Sequence, residues 1–98
     1  MSNYRFSQEA RNDIQEIWVW VAGDNPQAAD ELETDIYAAC EMLANDPGLG
    51  HRRPDLTDEH VLFWAVRKLY LVTYLLGTEP LEIVRILHGA RDVSSELR

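Results

Sequence analysis

The sequence contains little cysteine and no long hydrophobic run. Cys40 is its single cysteine, so no disulfide can form within the chain. Apolar runs such as VLFWAV at 61–66 are far shorter than the roughly 18 residues that a membrane span needs. The first residues, MSNYRFSQEARND, also lack the basic start and apolar middle of a secretory signal. These absences predict a cytoplasmic chain with neither a membrane segment nor a disulfide framework.

Positive charge is scarce as well. Nine Lys and Arg stand against 17 Asp and Glu, which gives a net charge of −8, and residues 1–46 hold only two arginines against ten acids. Because phosphate contacts normally come from a basic surface, this balance disfavours direct, sequence-specific binding to nucleic acid. The three histidines and Cys40 lack the spacing of zinc ligands, so we expect no metal ion and no cofactor.

The chain is long enough for one domain, which we expect to cover residues 1–98. NYRF at 3–6 alternates apolar and polar residues, as a short half-buried strand does. Ser7 is placed to cap a helix that ends near Gly23. The apolar positions of this helix recur every three or four residues: Ala10, Ile14, Ile17 and Val21. This spacing predicts an amphipathic helix with one buried face.

A second helix is predicted from Asn25 and Pro26 to near Asn45. The asparagine side chain can accept an orphan backbone amide, and proline suits the first helical position. The buried stripe of this helix is expected at Leu32, Ile36, Ala39 or Cys40, and Leu43. Only about three residues join the two helices, which favours an antiparallel hairpin.

Residues 46–60 are polar and rich in turn formers, which predicts a loop. Three strands are predicted after it, at 61–67, 69–76 and 81–88, with short links that suit an antiparallel meander. A helical turn or two can follow Gly89. The predicted fold class is therefore α+β, with a short N-terminal strand and both helices on one face of the sheet. The other face is expected to be uncovered and is one place for a site.

Several segments together resemble the ParE toxins of the RelE/ParE superfamily. They are Ala10, Asp13 and Ile17 in the first helix, NPQAADEL at 25–32, LANDPGLGHRRPDL at 43–56, YLVTY at 70–74 and RILHGARD at 85–92. The resemblance runs nearly end to end, and HGARD is its most specific part. It implies a RelE/ParE-like fold and a toxin of a bacterial type II toxin-antitoxin system, forming a hetero-oligomer with a ParD-like antitoxin.

The resemblance leaves the toxic activity open between two classes. ParE toxins inhibit DNA gyrase by binding it, whereas their RelE relatives cleave messenger RNA on the ribosome. The nucleases carry an arginine soon after the tyrosine of the central strand, but here Tyr70 is followed by Leu71, Val72 and Thr73. Losing one preorganised electrostatic donor typically costs about 10²–10³ in turnover. Gyrase inhibition without catalytic residues is therefore favoured, and the alternatives are a RelE-like endoribonuclease and a non-toxic binding module.

Two groups of residues are predicted contact sites. The target-binding or toxicity group is Arg91, His88, Arg85 and Tyr70, and the antitoxin-binding group is Trp18, Trp20, Trp64, Glu31 and Asp35. Arg91 has a structural alternative, a surface ion pair with Asp92 worth about 0–1 kcal/mol. Trp18 and Trp20 lie about 200° apart on one helix, so at least one is expected outside the core. The acidic helix faces are typical of solvated surface, and they also suit a basic amphipathic segment that folds on binding.

Overall fold

The computed structural model describes residues 3–55 and 60–89. Its elements, in chain order, are β1 (Tyr4–Phe6), α1 (Gln8–Ala22), α2 (Pro26–Asn45), a single 3₁₀ turn (Pro47–Leu49), β2 (Val61–Val66), β3 (Tyr70–Leu75) and β4 (Leu81–His88). The predicted α+β class and the order of its elements are confirmed. Strands β2 and β3 are shorter than predicted by one and two residues. The helical turn predicted after Gly89 falls outside the described residues.

Both helices begin at the capping residues that the sequence indicated. The Ser7 hydroxyl accepts a hydrogen bond from the Ala10 amide at 3.0 Å, and the Asn25 side chain accepts one from the Ala28 amide at 3.2 Å. Each bond satisfies an amide that has no partner within its own helix. Neither helix is long and apolar enough to cross a membrane.

The sheet has the strand order β1-β4-β3-β2. Strands β2, β3 and β4 form the predicted antiparallel meander, and β1 lies parallel to β4, with Tyr4 opposite Leu81 and Phe6 opposite Ile83. The rings of Phe6 and Tyr37 are 5.9 Å apart, so β1 also contacts α2. The N-terminal strand is therefore held by both layers of the fold.

The helical hairpin packs on one face of the sheet. Ile36 and Leu43 of α2 meet Val72 and Ile83 of the sheet, and all four side chains are at most 1% exposed. Fully burying a side chain of this type contributes about 1.5–3 kcal/mol relative to leaving it exposed. Cys40 is part of this core, and its burial raises the pKa of its thiol to about 12. Cys40 is therefore a packing residue without thiolate chemistry.

The face of the sheet opposite the helices is buried from solvent at one position in each of β2, β3 and β4. Successive side chains in a strand alternate between faces, so Thr73 points away from the helices that Val72 contacts. Thr73 is 1% exposed, its cross-strand partner Phe63 is 3% exposed, and Leu87 is fully buried. The expectation of an uncovered second face is wrong at these positions.

Candidate functional site

Two of the predicted target-binding residues meet at one corner of the sheet. Tyr70 begins β3 and His88 ends β4; they are register partners, and their rings lie edge to face at 5.5 Å. The Gly89 amide donates to the Leu69 carbonyl at 2.8 Å, which fixes the end of β4 to the start of β3. Arg91 lies outside the described residues. The structure thus brings Tyr70 and His88 together at the point from which the chain continues toward Arg91.

Arg85 is bound to the first helix. Its Nε and Nη2 donate to the two carboxylate oxygens of Asp13 at 2.8 and 3.0 Å, and the Ile86 amide donates to the same carboxylate at 2.9 Å. The side chains are 25% exposed for Arg85 and 12% for Asp13. A partly buried carboxylate with three donors is a strong local tie. The geometry therefore gives Arg85 a structural role, and its role in target binding stays a prediction.

Sequence reasoning missed Tyr74, which anchors the segment after α2. Its side chain is fully buried in β3, and its hydroxyl donates to the Pro47 carbonyl at 2.6 Å and accepts from the Gly50 amide at 2.9 Å. Burial raises the pKa of Tyr74, which keeps the hydroxyl protonated and able to donate. A signal was present in the sequence, because a tyrosine in a buried strand needs a partner for its hydroxyl.

The predicted antitoxin-binding residues of α1 border a groove between the two helices. Its lining includes Arg11, Ile14, Trp18, Asp30, Glu33 and Tyr37. Trp18 is half-buried there and donates from its indole nitrogen to Asp30 at 2.9 Å. Trp20 is 74% exposed and the neighbouring Val19 is 60% exposed. The two tryptophans do point to different surroundings, as their spacing requires. The surface formed by Trp18, Val19 and Trp20, called here the hairpin surface, thus combines exposed apolar side chains with the carboxylates of Asp30 and Glu33 in the adjoining groove.

The other three residues of the antitoxin-binding group are dispersed. Trp64 is half-buried in β2 and packs against the core. Asp35 accepts from Arg67 Nε at 2.6 Å, which links α2 to the turn between β2 and β3. Glu31 is exposed and accepts from Gln27 at 3.3 Å. The three tryptophans therefore do not form one patch, and the hairpin surface is centred on α1.

Comparisons with known proteins agree on one family. The family model described as "ParE toxin of type II toxin-antitoxin system, parDE" matches residues 4–93. Toxin ParE1 of Caulobacter vibrioides is 30% identical to this chain, over 99% of each protein. A solved structure of the chromosomal ParDE toxin-antitoxin system from P. aeruginosa superimposes with a TM-score of 0.71. That match has 19% identity and covers 90% of this chain and 96% of the other, so it bears on the fold alone.

Proposed function

This chain belongs to the ParE toxin family of type II toxin-antitoxin systems, and on that premise we propose that it inhibits DNA gyrase by binding and is neutralised by a ParD-like antitoxin. The observation that supports binding rather than catalysis is the burial of the β3 residues that follow Tyr70. Val72 is fully buried in the core, and Thr73 is 1% exposed on the second face, so neither position offers a cation to a phosphate. Cleavage of RNA needs such groups to stabilise developing charge.

The state of Arg85 supports the same proposal. In the RelE-like alternative, several basic groups must converge on the scissile phosphate. Here the guanidinium of Arg85 is held by Asp13 through two hydrogen bonds. An arginine neutralised by a carboxylate contributes little to binding a phosphate, because the carboxylate repels that anion. A RelE-like nuclease therefore remains the second candidate, resting on the superfamily resemblance alone.

We propose that the toxin contacts its target protein through the corner formed by Tyr70 and His88, together with Arg91. Tyr70 is 8% exposed and its ring packs edge to face with the ring of His88, which is half-buried. The sequence-specific part of the family resemblance, HGARD at 88–92, begins at this corner. Arginine guanidinium groups pair well with the carboxylates of a protein target, which is the role proposed for Arg91.

For the antitoxin, we propose the hairpin surface around Trp18, Val19 and Trp20. Exposed aromatic residues are frequent anchors in protein interfaces. The carboxylates of Asp30 and Glu33 line the adjoining groove, so the fitting partner is a basic amphipathic segment that becomes ordered on binding. The toxin and antitoxin then form a hetero-oligomer.

The gyrase proposal is tested with purified protein, purified gyrase and relaxed plasmid. Supercoiling is expected to fall with increasing toxin, and linear plasmid is expected to accumulate if gyrase is held on cleaved DNA. Addition of the cognate antitoxin, sought in the neighbouring reading frame, should restore supercoiling. Full supercoiling at saturating toxin would rule gyrase out as the target. Truncated messenger RNA in a translation mixture would instead favour the RelE-like alternative.

The antitoxin surface is tested with Trp20→Ser. We expect the affinity for the antitoxin to fall about tenfold or more, because an exposed aromatic anchor is lost. The free energy of unfolding should change by less than about 0.5 kcal/mol, since the side chain is mostly in solvent. Isothermal titration calorimetry and thermal unfolding measure the two quantities. Leu76→Ser is the matched control, because Leu76 is 58% exposed and lies in the turn after β3, away from the helices. Equal effects of both substitutions would contradict the assignment.

A further inference from the structure

The turn between β2 and β3 has an unusual backbone. This β2–β3 turn consists of Arg67, Lys68 and Leu69, and its first two residues have φ angles of 54° and 61°. Both angles lie in the left-handed region, which glycine adopts without steric cost and asparagine tolerates, whereas residues with long side chains are strained there. Two-residue stretches of this kind in hairpins normally carry Asn-Gly or Gly-Gly. The chain instead places two cations there.

Three contacts hold the β2–β3 turn in this conformation. Arg67 pairs with Asp35 of α2 at 2.6 Å. The Leu69 amide donates to the Val66 carbonyl at 3.2 Å, and the Leu69 carbonyl accepts from Gly89 at 2.8 Å. Strained residues persist only where the surrounding structure determines their conformation, and they concentrate at binding and catalytic sites. The turn is therefore a rigid projection fixed to both α2 and β4.

The side chains that this projection presents are Lys68 and Leu69. Lys68 is the only lysine in the sequence, and within residues 3–55 and 60–89 it makes no ion pair. Leu69 is 54% exposed. Arg67, by contrast, is already neutralised by Asp35. The tip thus offers one uncompensated cation beside one exposed apolar side chain, in fixed positions.

We propose that the β2–β3 turn is a contact for the target protein, in which Lys68 binds a carboxylate and Leu69 enters an adjoining apolar depression. This inference rests on the proposed function, in which the toxin acts by binding a protein. A preorganised contact loses little conformational freedom on binding, so the interaction free energy of Lys68 and Leu69 is offset little by the cost of ordering the turn. Charge complementarity selects an acidic partner surface for the lone ammonium group.

Nucleic acid is a poorer partner for this projection. A single cation on a protein of net charge −8 releases few counterions from a phosphate backbone. The exposed leucine also has no counterpart along such a backbone. A protein surface with a carboxylate next to an apolar depression satisfies both side chains at once.

The test separates stability from binding. Lys68→Gly should raise the thermal midpoint by about 2–5 °C, because glycine adopts a positive φ without strain. The same variant should inhibit gyrase, and arrest growth on expression, at least about tenfold less than the unmodified toxin, because the contact is lost. Leu69→Ser should weaken inhibition in the same direction. Arg5→Gln, which removes one charge at the far edge of the sheet, is the control and should leave inhibition unchanged.

The lone lysine allows a direct check of the contact. A carbodiimide couples amines to carboxylates in contact, so a cross-link from Lys68 to a gyrase carboxylate is expected, mapped by mass spectrometry. Lys68→Arg should lose this cross-link and keep inhibition, because arginine retains the charge and does not react. A Lys68→Gly variant that is stabilised but inhibits fully would overturn the inference. An unmodified toxin that leaves gyrase and growth unaffected would overturn the proposed function, and the inference with it.

Discussion

Asp13→Ala is expected to lower the free energy of unfolding by about 2–4 kcal/mol. The substitution leaves the Arg85 guanidinium without its bidentate partner and the Ile86 amide without an acceptor. Because Asp13 is only 12% exposed and Arg85 25%, water replaces these bonds poorly. In a domain of this size the midpoint of thermal unfolding should fall by about 10–20 °C.

The matched control for this prediction is Asp35→Ala. Asp35 also pairs with an arginine, Arg67, but their side chains are 46% and 44% exposed. Surface pairs of this kind contribute about 0–1 kcal/mol. Urea unfolding followed by circular dichroism measures both variants. If the two losses are equal, the Asp13 carboxylate does not hold the strand as described.

Gly50→Ala is the second substitution with a large expected effect, a loss of about 2–3 kcal/mol. The φ angle of Gly50 is −70°, which any residue adopts, so the backbone tolerates alanine. The difficulty is space, because a Cβ at Gly50 would lie 2.8 Å from Cε1 and 2.9 Å from Cζ of the Tyr74 ring. Tyr74 is fully buried and cannot move aside. The added methyl group must therefore displace the segment that Tyr74 anchors.

Gly48→Ala provides the control within the same segment. The nearest atom to a Cβ at Gly48 is Asp46 Oδ1 at 3.9 Å, an ordinary contact. Thermal unfolding should therefore show a clear loss for Gly50→Ala and little change for Gly48→Ala. The double variant Gly50→Ala, Tyr74→Phe should lose less than the sum of its parts. The phenol oxygen is both the atom nearest to the added methyl group and the acceptor of the Gly50 amide, so the two substitutions disturb the same contact. Strict additivity would mean that the two residues do not contact each other.

The sequence predicted those features of the fold that depend on neighbouring residues. Ser7 and Asn25 were identified as helix caps because the capping bond joins residues three apart. The helical stripes followed from spacing for the same reason. The predicted end of β2 and the predicted start of β3 are less accurate. Arg67 and Lys68 adopt a left-handed backbone between these strands, and their residue types do not indicate it.

The features that sequence reasoning did not predict join distant parts of the chain. The Asp13–Arg85 pair spans 72 positions, and nothing around either residue indicates its partner. The pairing of the three-residue strand β1 with β4 is equally non-local. The sequence contains only two helices, which cover one face of the sheet, and so it predicts an open second face. Burial at Phe63 and Leu87 depends on the whole fold.

The shortness of β1 has a consequence for how other strands can join this sheet. β1 covers β4 only from Leu81 to Ile83. Beyond it, the Ser7 hydroxyl donates to the Val84 carbonyl at 2.8 Å, and Asp13 accepts from the Ile86 amide at 2.9 Å. The Ser7 and Asp13 side chains therefore satisfy backbone groups of β4 that another polypeptide strand would need for pairing. This protects the exposed part of β4 from edge-to-edge aggregation. At the opposite edge of the sheet, His51 forms backbone hydrogen bonds with Phe63 of β2 in both directions. A strand that added to β2 would have to displace His51.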